Sequence, residues 1–337
     1  MRVAILAHEQ FPDRAKTAIG ILRYGDQDVV AILDRSRAGT TVSDYLPNLD
    51  VDVPIVEDAT EAPDFDALVI GIAPIGGGFD ETWRPDVRRA IESGADVIAG
   101  LHYFLGDDPE FVDLASEYDV ELRDLRNPPS DLTVADGIAR QLDCEIVLTV
   151  GTDCSTGKMT TTVELVEAAR NADMDAGFVP TGQTGLAIAG WGIAIDRTIS
   201  DFTNGAVERM LVEQADEFDY LFVEGQGSIV HPAYSAVTCG ILHGAMPNYL
   251  VMCHQAGRER IHGYESFEIP PVERVASLYE TLANPVASTE LIGGSLNTAG
   301  MDDSAASEAL DRYANRLGVP AVDPVRQGAD TLVEQIR

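Results

Sequence analysis

The chain has 337 residues, of which 45% are hydrophobic and 23% charged. Fifty-six acidic residues against 23 basic ones leave a formal charge of −33, and only two of the basic residues, Lys16 and Lys158, are lysines. That balance excludes the basic footprint of a nucleic-acid-binding protein, and no run of about 18 apolar residues offers a membrane span.

The length favours about two domains. Self-repulsion of this size destabilises a compact chain at low ionic strength, and about 1 M salt screens it to within about 3 Å. Dispersed carboxylates with almost no lysine therefore point to a halophilic, salt-accumulating setting. The cysteines, Cys144, Cys154, Cys239 and Cys253, show no CxxC spacing. Reduced thiols in a cytoplasmic protein are the expectation, and a zinc site or disulfide scaffold is not.

Met1–Glu9 carries too short an apolar run for a signal peptide and reads as a first strand. Further buried-strand patterns follow at Val29–Leu33, Ala67–Ile72 and Val97–Ala99, with helical patterns at Pro85–Ser93 and Pro109–Tyr118. Apolar runs alternating with helices imply βαβ units and a parallel sheet. Asn127-Pro128-Pro129-Ser130 interrupts the pattern, since tandem prolines suit neither a helix interior nor a central strand. Two α/β domains are predicted, spanning residues 1–128 and 129–337. In the second, strands are expected at Glu145–Val150, Ala176–Val179, Tyr220–Val223, Tyr249–Cys253 and Val319–Val322. Its helices are expected at Thr160–Arg170, Phe202–Gln214, Pro271–Leu282 and Ser304–Leu317.

The most specific feature is an apolar strand followed by Gly151-Thr152-Asp153-Cys154-Ser155-Thr156-Gly157-Lys158-Met159-Thr160 and a helical pattern. Glycines let backbone N–H groups converge on an oxyanion, the helix N-terminus adds its dipole, and lysine supplies a point charge. Five residues separate the two glycines, one more than in the standard G-x4-GK[ST] loop. Met159 stands where a nucleotide-hydrolysing enzyme presents a hydroxyl to Mg²⁺, and Thr160 is rotated by about 100° from it.

Other polar residues follow predicted strands. Glu224-Gly225-Gln226-Gly227-Ser228 places an acid and an amide at a strand end, where open α/β sheets bind ligands. His231 lies just beyond, and His254 and Arg258 follow another strand. Imidazole can move a proton and guanidinium can clamp a carboxylate. Gln183 lies in the small polar turn Thr181–Gly185, and Gly71–Gly78 lacks the order of a dinucleotide loop. No histidine pair has HxH or HxxxH spacing, so no resident metal is expected.

The loop resembles the GTDxxxGK loop of dethiobiotin synthetase and related P-loop ligases. Gly151–Thr161, Thr181–Gly185, Glu224–Ser235, Cys253–Arg258 and Gly71–Gly78 together resemble a family with a Rossmann-like N-terminal domain and a P-loop C-terminal domain. Its members have been assigned as D-glutamate N-acetyltransferases, so the resemblance implies acetylation of D-glutamate by acetyl-CoA. Acetyl transfer needs a base, an oxyanion donor and cations for substrate carboxylates. His231 or Glu224 is the candidate base, Gln226 the donor, and Gln183, His254 and Arg258 the substrate contacts, with residues 151–160 on the cosubstrate. A Mg-ATP-dependent ligase or kinase is the alternative, its ion held by Thr160 and Glu224. A nucleotide-binding regulatory module is a third. A small-molecule substrate and a homo-oligomer are the partner expectations.

The charge makes a direct prediction. Thermal stability should rise when KCl is raised from ~0.1 M, where the Debye length is about 10 Å, to molar concentrations. A melting temperature that stays constant across that range would overturn the halophilic reading.

Overall fold

A computed structural model of the protein describes residues 1–49, 51–72 and 77–337. Residues 73–76, in the middle of the Gly71–Gly78 segment, lie outside the described residues. The chain forms two compact units, one of Met1–Pro128 with Gln183–Ala194 and the other of Pro129–Gly182 with Ile195–Arg337.

In the first unit the strands are β1 (Arg2–Leu6), β2 (Asp28–Leu33), β3 (Thr40–Thr41), β4 (Pro54–Val56), β5 (Ala67–Ile70), β6 (Asp96–Ala99) and β7 (Leu122–Asp124). They lie in the order β3-β4-β2-β1-β5-β6-β7, parallel except for the short β3–β4 pair. The order reverses between β1 and β5, the switch point of a doubly wound sheet. Helices α1 (Lys16–Tyr24), α2 (Arg84–Glu92) and α3 (Pro109–Tyr118) complete the alternation. Pro109 at N1 and Asp108 as N-cap, accepting from the N–H groups of Glu110 and Phe111, start α3 where the sequence places it. Just past β2, Asp34 is buried, and its carboxylate accepts from the N–H groups of Glu9 (3.1 Å), Phe11 (3.2 Å) and Ser36 (2.9 Å). An acid at this position ties down the β1–α1 loop.

The second unit holds β8 (Glu145–Gly151), α4 (Lys158–Asn171) and β9 (Ala176–Val179). Between β9 and the next strand runs α5 (Gln183–Ala189), which belongs to the first unit. After it come α6 (Thr203–Gln214), β10 (Tyr220–Val223), α7 (Ser235–Ala245), β11 (Tyr249–Gln255) and a hairpin of β12 (Arg260–Ile261) and β13 (Tyr264–Glu268). The chain continues through α8 (Val272–Ala283), β14 (Glu290–Asn297), α9 (Asp303–Leu317) and β15 (Ala321–Val322). Six of these strands make a wholly parallel sheet, β15-β14-β11-β8-β10-β9. β8 is buried from its second residue onward, as a central parallel strand must be when both faces are covered. No helix among the described residues is long and apolar enough to cross a membrane.

The expectation of one continuous second domain needs correction. Residues 183–194 belong to the first unit because their apolar face is buried in its core, with Ala187 buried and Ile188 packed against it. Thr184 Oγ1 meets Thr17 Oγ1 at 3.0 Å, and Gln27 Nε2 donates to the Ala187 carbonyl at 3.0 Å.

β8 and the end of β10 approach unusually closely. A Cβ on Gly225 would stand 1.7 Å from the Thr149 carbonyl oxygen, while the Gly225 N–H donates to Thr149 Oγ1 at 3.1 Å. Gly225→Ala should therefore lower unfolding free energy by at least about 2 kcal/mol, measured by denaturation in molar KCl. Stability within about 0.5 kcal/mol of wild type would show that the two backbones part freely.

Candidate ligand site at the phosphate loop

Residues 151–158 lead from β8 into α4 at the C-terminal edge of the parallel sheet. Gly157, the residue before the helix, has φ of 96°, a left-handed conformation suited to glycine. The first turn of α4 has N–H groups without intrahelical acceptors, and they open onto the loop. Three consecutive threonines are weak helix formers, but Thr161 Oγ1 donates to the Gly157 carbonyl (2.9 Å) and Thr162 Oγ1 to that of Lys158 (2.8 Å). Lys158 is only 7% exposed, and its ammonium donates to the Asp153 carbonyl at 2.8 Å, folding back across the loop. Residues 151–160 thus form the loop and the start of its helix. Met159 is buried and brings no oxygen, whereas Thr160 is half-buried on the next step.

Asp153 is wholly buried. One carboxylate oxygen accepts from the Cys154 N–H (2.7 Å), and the other from Arg258 Nη1 (3.1 Å) and the His262 N–H (2.8 Å). Arg258 also donates to the Cys154 carbonyl (2.7 Å) and to Gln255 Oε1. The residue read as a clamp on substrate carboxylate grips the loop's own carboxylate, because a buried charge inside an anion site demands a counter-charge. His254 is joined to the loop as well, its Nδ1 lying 2.7 Å from Thr152 Oγ1 and its ring stacked on Tyr313.

Glu224 and Gln226 converge on the end of β9. Glu224 Oε2 accepts from the N–H groups of Thr181 and Gly182, both at 3.1 Å, and Gln226 Nε2 donates to the Thr181 carbonyl. Gln183, the next residue in the chain, opens α5 in the first unit.

His231 is 1% exposed and stands between Tyr234 and Tyr264, at ring separations of 4.6 and 5.1 Å. Its Nδ1 accepts from the Ala233 N–H at 3.1 Å, and Nε2 faces Asp153 Oδ1 at 3.8 Å. Burial holds its pKa below the ordinary histidine value, Lys158 adding to the effect and Asp153 opposing it. A backbone N–H can only donate, so the ring proton sits on Nε2. In this tautomer His231 turns a donor toward the loop. Asp153, Cys154 and His231 bring one side-chain donor atom each within 4.8 Å of one another. A metal there would need the Nε2 lone pair, which the proton occupies.

Sequence reasoning missed Tyr279. Its buried hydroxyl donates to the Gly151 carbonyl (2.8 Å) and accepts from the Ile229 N–H (3.2 Å), pinning the loop's first residue to the segment after β10. Burial raises this phenol to about 12, so it stays a neutral donor. Nothing in its amphipathic helix pattern distinguishes it from an ordinary core tyrosine.

His254 makes the site sensitive to acid. Burial, then the charges of Arg258 and Arg316, push it down to about 4. Unfolded histidine titrates near 6.5, so between those values the unfolded chain takes up a proton that the fold refuses, and stability falls with pH. From pH 7.5 to 5 this contributes a loss of about 2 kcal/mol. Unfolding free energies of wild type and His254→Gln, compared in molar KCl, should differ in pH slope by that amount. Parallel slopes would place His254 in an ordinary solvated environment.

A family model described as a domain of unknown function, the DUF1611_C P-loop domain, matches residues 133–333. A second, the DUF1611_N Rossmann-like domain, matches residues 35–128. A Pseudoalteromonas protein named D-glutamate N-acetyltransferase is 38% identical over 272 residues, covering 80% of each chain. A Tritonibacter scottomollicae protein of the same name is 33% identical over 323 residues, covering 96% of this chain and 94% of its own. The crystal structure of a DUF1611 family protein from Anabaena variabilis superposes with a TM-score of 0.94 at 38% identity, covering 99% of this chain and 98% of its own. The chain belongs to the DUF1611 family, with a Rossmann-like N-terminal domain and a P-loop C-terminal domain.

Proposed function

We propose that the protein is an N-acetyltransferase that moves the acetyl group of acetyl-CoA to the amino group of an acidic amino acid, D-glutamate. The names of the two relatives support the reaction class. The observation that carries the choice of cosubstrate is the start of α4. Its N–H groups and Lys158 suit phosphate, but Met159 gives a metal ion no oxygen. Coenzyme A carries a pyrophosphate and a 3′-phosphate that such a loop can hold without hydrolysing anything. Both acids near the loop accept hydrogen bonds from the protein, Asp153 from Arg258 and His262 and Glu224 from Thr181 and Gly182, which further favours a metal-free site.

In this reading residues 151–160 bind the cosubstrate phosphates. Glu224, at the strand end where open α/β sheets bind ligands, takes the amine proton. The second reading is a Mg-ATP-dependent ligase or kinase, with Thr160 and Glu224 on the ion. It is favoured by the Gly151-Thr152-Asp153 loop start and by an acid at the end of β10.

Lys158 tests both. Removing its ammonium takes away a charge-assisted contact of roughly 1.5–3 kcal/mol. Lys158→Ala should then bind the phosphorylated cosubstrate about ten- to a hundredfold more weakly, at about 1.4 kcal/mol per decade. The measurement is calorimetric titration of wild type and variant with acetyl-CoA and with Mg-ATP in concentrated KCl. Loss for acetyl-CoA alone supports the acetyltransferase, and loss for Mg-ATP alone supports the ligase. A folded variant that binds both as wild type does would remove the basis of either reading.

A further inference from the structure

We infer that Arg126, at the C-terminal edge of the first unit's sheet, is a binding residue for a carboxylate of the acidic amino acid. The identity of that ligand rests on the proposed function. The placement of the cation rests on the first unit alone.

Among the described residues, two lysine or arginine side chains are buried, Lys158 at 7% exposure and Arg126 at 6%. Each follows a strand of its own unit's sheet, Lys158 beyond β8 and Arg126 just beyond β7. This is the edge at which open α/β sheets bind ligands. Lys158 is already assigned to an anion there, and Arg126 is its counterpart in the first unit.

Two neutral acceptors orient the guanidinium. Its Nε donates to the Gly100 carbonyl at 2.7 Å, a buried bond, and its Nη1 to His102 Nε2 at 2.9 Å, a bond only part-buried. A guanidinium can only donate, so the His102 ring carries its proton on Nδ1. Acceptors of this kind fix the plane of the fork and leave its charge in place. Asp124, two residues earlier, is turned elsewhere, its two oxygens accepting from the N–H groups of Leu105 and Gly106, both at 2.9 Å. Arg35, Arg84 and Arg88 of the same unit lie against that unit's own acids, Asp86, Asp108 and Glu110.

Glycines seat both acceptors. Gly77 has φ of 64°, and its carbonyl accepts from the N–H groups of His102 (2.9 Å) and Tyr103 (3.1 Å). A Cβ on Gly77 would stand 2.3 Å from His102 Cδ2, and one on Gly100 would stand 2.9 Å from Gln183 Cβ. Gln183, expected from the sequence to contact substrate, thus lies against the residue that anchors Arg126. An amide and a guanidinium on one edge are the donors that carboxylate recognition uses. The charge of the chain gives them a purpose. At −33 the protein repels an anionic substrate, and capture of a dicarboxylate needs a fixed local cation. Arg258, the expected clamp, is engaged by Asp153.

Calorimetry on the full chain in molar KCl tests this, with D-glutamate titrated in the presence of saturating CoA so that no acetyl group moves. Arg126→Met should bind D-glutamate about ten- to a hundredfold more weakly and CoA within about threefold of wild type. Arg126→Lys, which keeps the charge without the fork, should fall between. His102 is a positioning residue, and His102→Ala should weaken D-glutamate alone by about three- to tenfold. D-glutamate binding within about threefold of wild type in Arg126→Met overturns the inference. Where Arg126→Met does not fold, unchanged binding in both Arg126→Lys and His102→Ala overturns it. An equal loss for CoA does so too, since it makes Arg126 a general support of the fold. A wild type that binds CoA and not D-glutamate removes the acidic-acceptor reading and this ligand together. A wild type that binds D-glutamate, with Arg126→Met doing the same, removes the site alone.

Discussion

The site is organised by a negative charge buried inside an anion-binding loop. Asp153 is wholly buried within the segment whose backbone suits phosphate, and an unpaired carboxylate there would cost several kcal/mol and repel the ligand. Arg258 and the His262 N–H resolve the conflict from the segment after β11, and the Cys154 N–H from within the loop. With Asp153 paired to Arg258, the ammonium of Lys158 and the start of α4 are left as positive groups at the loop. The same bonds tie the β12–β13 excursion to the loop. Tyr279 adds the third anchor, from α8 to Gly151 and Ile229.

The arrangement also orders the chemistry. A P-loop that activates a nucleotide uses its lysine, a hydroxyl and an acid around a metal ion. Here the hydroxyl position is a buried methionine, and each acid near the loop accepts hydrogen bonds from protein donors. What the chain presents instead is a set of neutral or cationic donors. Such a set suits holding phosphates, the property on which the proposed cosubstrate rests.

Much of the fold was legible because its strongest signals are local. β9 and β10 coincide with apolar runs bounded by turn residues, and α3 with its proline start. The phosphate loop stood out because one of only two lysines follows Gly157 at a strand-to-helix junction. β14 was missed for a physical reason. Its Gly293-Gly294 reads as a turn, yet a Cβ there would stand 2.4 Å from Leu332 and 2.6 Å from Tyr313, so the glycines serve close packing within a strand. α7 was hidden in the same way, since Gly240 and Gly244 let it lie against Thr203 and Asn204 of α6. The assignment of α5 to the first unit, and Gln183 with it, depends on tertiary burial that no local pattern records.

The roles of Arg258 and His231 show where sequence reasoning about sites ends. Residue type and position at a strand end identify groups able to bind or move protons. Polarity is set by partners. Arg258 could face outward to a substrate or inward to the loop, and Asp153, far away in sequence, decides for the loop. For His231 the deciding partner is close. His231-Pro232-Ala233 turns a backbone N–H onto Nδ1, so the tautomer is encoded within three residues. The direction in which Nε2 then points is long-range, fixed by where the loop carrying Asp153 and Cys154 comes to rest. A short-range lock and a long-range aim together set how the ring meets the loop, and neither half is informative without the other.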